Sequence, residues 1–327
     1  MTKTEDILCP LCRSQTAKSF VRVWREYRLY DCPDCGGGFC DPFRNPGESY
    51  YAHFEDLYPN RAQTTTDPMS LEYDECLRFL RRDKPRGKRL LDVGCGGGGF
   101  LNRARGEGFE VSGLDFNKTR LEAIRAQLGI ETVYYGSLTD FARSHPSRRF
   151  DVITLFQVLE HLDDPGLWLD AAHFLLEPEG VLFIGVPNRE RTFDPFRGPG
   201  MEEIDNPPHH LTRWSARSLK GILERHSFHV VEVKSLEVPL PLLALMLRNA
   251  LRLGIATKAL KVDQLQHIKE EAGLSARSRQ TVIRGLVTLK ERTLNSLAWA
   301  IYPVFRLAGT AFGWQGVVLV CAARRKI

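Results

Sequence analysis

The sequence predicts an α/β fold built around a doubly wound parallel sheet, and three observations carry that expectation. Leu90-Leu91-Asp92-Val93 runs into Gly94-Cys95-Gly96-Gly97-Gly98-Gly99-Phe100, the pattern of a buried strand, a tight glycine turn and a helix start. Such a turn needs residues without Cβ, so that backbone N–H groups can approach a ligand closely. About twenty residues on, Val111-Ser112-Gly113-Leu114-Asp115 is a second strand ending in a carboxylate, well placed to accept hydrogen bonds from ribose hydroxyls. Beyond it, short apolar runs and amphipathic stretches alternate regularly as far as Ser235. Gly94, Gly96 and Gly99 also satisfy G-x-G-x-x-G, a weak signal alone, which Asp92 sharpens from two residues before the first glycine.

Composition narrows the class. The chain has 327 residues, 43% hydrophobic and 26% charged, which suits a soluble globular protein with one large core or two modest ones. The formal charge of +5 comes mostly from arginines spread along the chain, so it fits an acidic substrate or a membrane surface without demanding nucleic acid. Residues Met1 to Asp6 carry acids and no apolar run, so no signal peptide is expected, and no stretch stays apolar long enough to span a bilayer. Of eight cysteines, four fall in two C-x-x-C pairs and the rest are scattered, a usage suited to a reducing cytoplasm.

Taken in order, residues 1–45 form the first candidate domain. Cys9-Pro10-Leu11-Cys12 and Cys32-Pro33-Asp34-Cys35 stand nineteen residues apart, the spacing of a zinc ribbon whose two knuckles give four thiolates to a tetrahedral ion. Phe20 to Trp24 and Tyr27 to Tyr30 alternate like the strands of a hairpin between them. A domain this small cannot hold itself together by burial, so the Zn2+ would supply folding energy. Four cysteines leave no open position, and the role is structural. Two disulfides or a redox C-x-x-C are the alternatives, and no βαβ pattern surrounds the pairs as the redox reading needs. Cys40 is expected as a core thiol.

Residues 46–87 form a linker and an amphipathic helix. The Pro- and Tyr-rich part includes an aromatic turn at Tyr50 to Phe54 that could lie over a site mouth, and Ser70 to Arg82 places Leu71, Leu77, Phe79 and Leu80 between charges. The core, residues 88–235, continues with helix Gly99–Arg105, strand Phe109–Leu114, helix Thr119–Leu128 closed by Gly129, strand Thr132–Tyr135 and a turn at Gly136 to Asp140. Strand Phe150–Phe156 follows, then Gln157-Val158-Leu159-Glu160-His161-Leu162 at its carboxyl end, where open parallel sheets place ligands. Asp163-Asp164-Pro165 reads as a helix start, with helix Leu167–Leu176 and then strand Gly180–Val186 after it. A long irregular loop, Pro187 to Thr212, lies where substrate selection would be written. Helix Ser215–His226 and strand Phe228–Ser235 close the core. Residues 236–314 read as a helical insertion, and residues 315–327 as the last strand, Gly316 to Ala322, antiparallel to its neighbour. Two insertion segments, Leu240–Leu253 and Leu297–Phe312, are apolar and punctuated by arginine, which suits a membrane surface, a cap on the domain or a homodimer contact equally.

The glycine turn with Asp92 resembles motif I of class I S-adenosylmethionine (SAM)-dependent methyltransferases. Gln157-Val158-Leu159-Glu160-His161-Leu162-Asp163-Asp164-Pro165 resembles the "EHL" segment of methyltransferases related to ubiquinone and menaquinone biosynthesis enzymes. The resemblance covers about Arg89 to Ser235, and its motifs are specific to SAM rather than to substrate. It implies a Rossmann-like seven-stranded methyltransferase sheet that carries the zinc ribbon at its N-terminus and the helical insertion before its last strand. It implies that Asp92, Gly94, Cys95, Gly96, Gly98, Asp115, Phe116, Phe156 and Gln157 surround SAM, with Ser137 and Leu138, and Asp140 beside them, at the adenine. Pro207-Pro208-His209-His210-Leu211-Thr212 to Ser215 resembles a loop of sugar and small-molecule O-methyltransferases that carries a histidine near the substrate. A neutral imidazole is the natural base for a hydroxyl that loses its proton, and His210 stands first, then His209, then His161. Asn206-Pro207-Pro208-His209 superficially resembles the motif of amino-methylating enzymes, but at the wrong place in the chain.

Zinc-ribbon methyltransferases of this layout resemble those of bacterial clusters for surface polysaccharides, modified sugars and natural products. The resemblance therefore implies methyl transfer to a hydroxyl, less often to carbon, of a sugar-like or lipid-linked glycan acceptor in the cytoplasm or at the inner face of the membrane, with O-methylation ahead. Quinone or lipid O-methylation and RNA methylation are the alternatives, and a non-catalytic SAM-fold scaffold is a further one. DNA is not expected as a partner. RNA is disfavoured because no Lys/Arg cluster is interleaved with stacking aromatics in the ribbon.

Overall fold

The computed structural model describes residues 4–16, 18–47, 50, 70–193, 202–238, 240, 243 and 296–326. The chain divides into two compact units, one of Met1–Phe193, Glu203–Glu237 and Gln315–Ile327, the other of Asp194–Glu202 and Val238–Trp314. The first unit opens with a small antiparallel sheet: β1 (Thr4–Glu5), β2 (Lys18–Trp24), β3 (Tyr27–Asp31) and β4 (Gly38–Asp41). Helix α1 (Ser70–Arg82) follows, then β5 (Arg89–Val93), α2 (Gly99–Gly106), β6 (Glu110–Asp115), α3 (Lys118–Leu128), β7 (Val133–Tyr135), α4 (Leu138–Ser144) and β8 (Phe150–Phe156). A 3-10 turn (Leu159–His161), α5 (Pro165–Leu175), β9 (Leu176–Pro187), a second 3-10 turn (Glu202–Asp205), β10 (Thr212–Arg213), α6 (Ala216–Arg225), β11 (Phe228–Leu236) and β12 (Val318–Arg325) follow.

The large sheet has the order β11-β12-β9-β8-β5-β6-β7. Pairing is parallel from β9 through β7, and β12 runs antiparallel to both β9 and β11. Strand order reverses between β5 and β8, which opens a crevice at their carboxyl ends. Both faces are covered, as a parallel sheet requires. Leu91, Val93, Ile153, Leu155, Leu182 and Ile184 pack with α4, α5 and α6. Leu90, Val152, Phe156, Val181 and Phe183 pack with α1, α2 and α3.

Local chemistry sets the boundaries. Asn117 caps α3 by accepting from Arg120 N at 3.1 Å, and Gly129 ends that helix at φ 61°. Asp164 accepts from Leu167 N and Pro165 fills the first turn of α5, so the helix starts two residues before Leu167. Strand β9 begins at Leu176, four residues before the expected Gly180. The stretch expected as a turn, Gly136 to Asp140, instead launches α4, because the Ser137 hydroxyl caps it by accepting from Asp140 N at 3.0 Å. The last strand starts at Val318 and reaches Arg325, shifted from the expected Gly316 to Ala322.

The small sheet is larger than the expected hairpin: β1 and β4 flank it, and a strand from far along the chain joins it. Strand β10, from the loop after β9, pairs antiparallel with β4 (Thr212 with Phe39, Arg213 with Gly38) and becomes its fifth strand. The apolar cluster of α4, α5 and α6 also runs on through Trp214 into Leu11, Tyr30 and Phe39. A Cβ at Gly37 would lie 2.5 Å from Leu11 Cδ1 and 3.1 Å from Ser218 Cβ, so glycine permits this approach.

In the second unit, residues 296–312 form helix α7, whose Trp299, Val304, Leu307 and Phe312 are exposed. Among the described residues no helix is long and apolar enough to cross a membrane. Most of the apolar segment Leu240–Leu253, and the aromatic turn beyond Tyr50, lie outside the described residues.

Candidate active site

The carboxyl ends of β5, β6 and β8 carry the residues that the sequence pointed to. Gly94 N and Cys95 N donate to Leu114 O at 2.7 and 3.1 Å, which ties the glycine turn to the end of β6. Gly94, Gly96 and Gly98 have φ of 71°, 53° and 77°, the left-handed region that favours glycine. A Cβ at Gly94 would stand 2.6 Å from Val158 Cγ2. Asp115, at the end of β6, accepts from Gly96 N through Oδ2 and from Asn117 N through Oδ1, each at 2.8 Å. Burial raises its carboxyl above the ordinary range, and these two donors pull it back in part.

Asp92 is buried on the floor, where Thr154 Oγ1 donates to it at 2.7 Å. Burial pushes its carboxyl up to about 7 against the Thr154 bond, with the charge of Asp115 adding to the rise. Phe116 is 44% exposed beside Tyr135 and Trp168, an apolar ring at the crevice rim. Other expected neighbours of the ligand face elsewhere. The Cys95 thiol points into the fold towards Gly113, Phe156 is locked among Tyr73, Phe100 and Phe183, and Leu138 is fully buried. These three have only backbone to offer a ligand.

Gln157 has φ 55°, a conformation that L-residues rarely adopt. Its N–H donates to Gly185 O at 2.8 Å and its Nε2 to Glu72 Oε1 at 2.5 Å. Glu72 comes from α1 and is fully buried, and a Cβ at Gly185 would stand 2.7 Å from its Oε1. Sequence reasoning passed over Glu72, although it shares with Cys76, Phe79 and Leu80 the face that α1 buries.

Beyond Gln157 the three candidate histidines come together, with ring centroids 4.7 to 4.9 Å apart. His161 Nδ1 lies 2.6 Å from His209 O and donates to it, leaving Nε2 3.9 Å from Glu160 Oε1. His210 Nδ1 lies 3.3 Å from Asp205 Oδ1, and Arg191 Nη2 holds Asp205 Oδ2 at 2.5 Å. Burial lowers the His210 pKa below the ordinary value, only partly offset by Asp205. Burial alone would raise the Asp205 carboxyl, but the His210 bond and the Arg191 charge hold it well below the carboxylate range. Glu160 is fully buried, neither carboxyl oxygen has a hydrogen-bond partner among the described residues, and burial raises it well above the ordinary value. Burial thus favours the neutral form of His210, whose Nδ1 faces the Asp205 carboxylate. Asp205 and Arg191, which set this arrangement, carry no sequence motif.

Away from this crevice, Cys9, Cys12, Cys32 and Cys35 place their four sulfurs within 4.8 Å of one another. Sγ–Sγ separations of 3.9 Å (Cys9–Cys35) and 3.6 Å (Cys12–Cys32) are far too long for disulfides. They match the edge of about 3.8 Å of a tetrahedron with 2.3 Å metal–sulfur bonds. The donor set therefore fits zinc. The hairpin differs from expectation in its arginines: Arg22 and Arg25 lie over Trp24 and Arg28 lies over Tyr30, neighbours within two residues along the chain, while Arg28 also reaches Phe20 across the β2–β3 pairing.

A family profile described as a methyltransferase domain matches residues 68–233. A ubiquinone biosynthesis O-methyltransferase of Thiobacillus denitrificans is 39% identical over 118 residues, 35% of this chain and 50% of that protein. One from Proteus mirabilis is 34% identical over 128 residues, 38% of this chain and 51% of that protein. The chain thus spans about half the length of the curated relatives it matches. Among solved structures, a SAM-dependent methyltransferase from Archaeoglobus fulgidus aligns at 19% identity with a TM-score of 0.48, over 84% of this chain and all of that one.

Proposed function

The chain belongs to the methyltransferase-domain family, and from that premise we propose that it is a SAM-dependent O-methyltransferase with His210 as the base. The observation that carries the reading is the buried Arg191–Asp205–His210 arrangement beside the carboxyl end of β8. Asp115 and the backbone of Gly94 to Gly98 would hold SAM, with Phe116 and the Ser137–Leu138 backbone towards the adenine and Gln157 towards the methionine part. When bound, SAM supplies an electrophilic methyl group on a sulfonium. The protein then has to position the acceptor, exclude water and remove one proton. His210 donates Nδ1–H to Asp205 and takes the hydroxyl proton at Nε2, and the carboxylate stabilises the imidazolium that forms. His209 packs against His210 and His161 closes the cluster from the 3-10 turn, both serving the acceptor's orientation.

The acceptor is a small molecule with a reactive hydroxyl, sugar-like or lipid-linked. A phenolic, quinone-like acceptor is the second reading, favoured by relatives whose names place them in ubiquinone biosynthesis. The four cysteines hold a structural zinc ion. The exposed apolar residues of α7 support peripheral membrane contact, which co-sedimentation with anionic vesicles tests, whereas a concentration-dependent dimer would indicate a second copy instead. The chemical test is transfer of labelled methyl from SAM into an extract of the source organism by wild type and by His210→Gln. Transfer that survives unchanged in the variant would refute His210 as the base.

A further inference from the structure

The loop that carries His209 and His210 is gripped on one flank by the cysteine-bearing hairpin. Arg22 Nη2 donates to Asn206 Oδ1 at 2.8 Å, and Trp24 Nε1 donates to Pro207 O at 3.0 Å. Arg25 pairs with Glu203 at the start of the same loop. Asn206 is the point of leverage, because its carbonyl accepts both His209 N at 3.1 Å and His210 N at 3.2 Å. Arg213 Nη2 shares its side-chain oxygen at 2.6 Å from the other end of the loop. Past the histidines, Cys40 N donates to Leu211 O at 3.1 Å, and the β10–β4 pairing continues the attachment. The opposite flank rests on the core, where Leu211 N donates to Glu160 O at 2.8 Å.

We infer that the hairpin between the two cysteine knuckles is the positioning element of the acceptor side, with Arg22 and Trp24 fixing the His209–His210 loop through Asn206 and Pro207. This rests on the reading of His210 as the base, and it ties the structural metal to turnover. The four thiolates hold both ends of the hairpin, the hairpin holds the loop, and the loop aims the imidazole. The SAM side takes no part in this chain of contacts, since the glycine turn and Asp115 are secured within β5 and β6. Arg22 and Trp24 are therefore positioning residues. The stacking of Arg22 on Trp24 presents both donors from one strand, so the arginine–aromatic pairs of the hairpin have an intramolecular task.

The test uses the full zinc-loaded chain with the double substitution Arg22→Ala/Trp24→Phe, which removes both donors while sparing every cysteine and the cofactor turn. Wild-type zinc content and a SAM affinity within about twofold of wild type are expected, because neither site is touched. The amides of residues 203–213 should exchange with deuterium on the order of tenfold faster or more, the scale of losing two hydrogen bonds, one of them charged. Turnover of labelled methyl into the extract should fall by a similar factor at unchanged KM for SAM. Arg22→Lys with Trp24 intact, which keeps a cationic donor, should recover part of both effects. Loop exchange at the wild-type rate would overturn the positioning role. Faster loop exchange with unchanged turnover would instead overturn the histidine-base reading. A fall in zinc content or SAM affinity parallel to turnover would overturn the inference by showing a general structural defect, which single Trp24→Phe would reproduce.

Discussion

Replacing Asp115 tests the cofactor half of the site, and the geometry sets the size of the effect. Each oxygen already accepts one backbone N–H at 2.8 Å, from Gly96 and from Asn117, which fixes the carboxylate in the orientation the proposed ribose contact requires. Asp115→Asn keeps the shape but turns one acceptor into a donor that must face an N–H. Losing one charge-assisted hydrogen bond costs about 1.5–3 kcal/mol. That corresponds to roughly ten- to hundredfold weaker SAM binding. Asp115→Ala loses both acceptors and should bind weaker still. Calorimetric titration of the zinc-loaded protein with SAM measures the change, and a melting curve confirms that the variant is folded. A folded Asp115→Ala protein that binds SAM within about threefold of wild type would refute the ribose assignment.

Three further perturbations follow from the electrostatics and the donor sets. His210→Gln should lower turnover by roughly a hundredfold or more with SAM affinity intact, and because burial lowers the His210 pKa, the acid limb of the wild-type pH–rate profile should fall below the ordinary 6.5; a limb above that value would count against His210. For Asp92, the folded value of about 7 lies above the ordinary 3.8, so the folded state favours the proton and stability falls as pH rises from about 4 to about 7. Asp92→Asn should consequently melt higher than wild type above pH 7 by up to a few kcal/mol of stability, with the gap closing near pH 4, and a pH-independent gap would contradict this. Metal analysis should return about one zinc ion per chain, and Cys32→Ser should abolish it along with the hairpin's cooperative unfolding; a metal-free, fully folded wild type would exclude the centre.

How much was legible in the sequence depended on whether the signal was local. The glycine turn, Asp115 and the cysteine pairs are spacings within short segments, and each lies where local reasoning placed it. Helix boundaries moved where capping chemistry was overlooked, as at Ser137, whose hydroxyl starts α4 in place of a turn. The three histidines were named individually, but nothing local signals that residues 161 and 209 meet. Their meeting depends on the loop after β9 folding back over the 3-10 turn. Asp205 and Arg191 were missed for the same reason, since an Asp–His–Arg arrangement built by tertiary packing has no fixed spacing, and Asn206 was noted only as part of a misplaced motif. Glu72 did leave a trace, as an acidic residue on the buried face of an amphipathic helix. The attachment of β10 to the hairpin sheet left none, because two residues are too short for a strand pattern.

The central claim, SAM-dependent methyl transfer to the hydroxyl of a small molecule, is tested most directly by following the methyl group. Methyl-labelled SAM and the zinc-loaded protein would be incubated with extract of the source organism, and the products separated into lipid, soluble sugar-nucleotide, polysaccharide and RNA fractions. The account predicts label in a carbohydrate or lipid fraction, as an alkali-stable methyl ether, and its loss with His210→Gln. Label confined to RNA, or no transfer to any fraction by a protein that binds SAM, would contradict it.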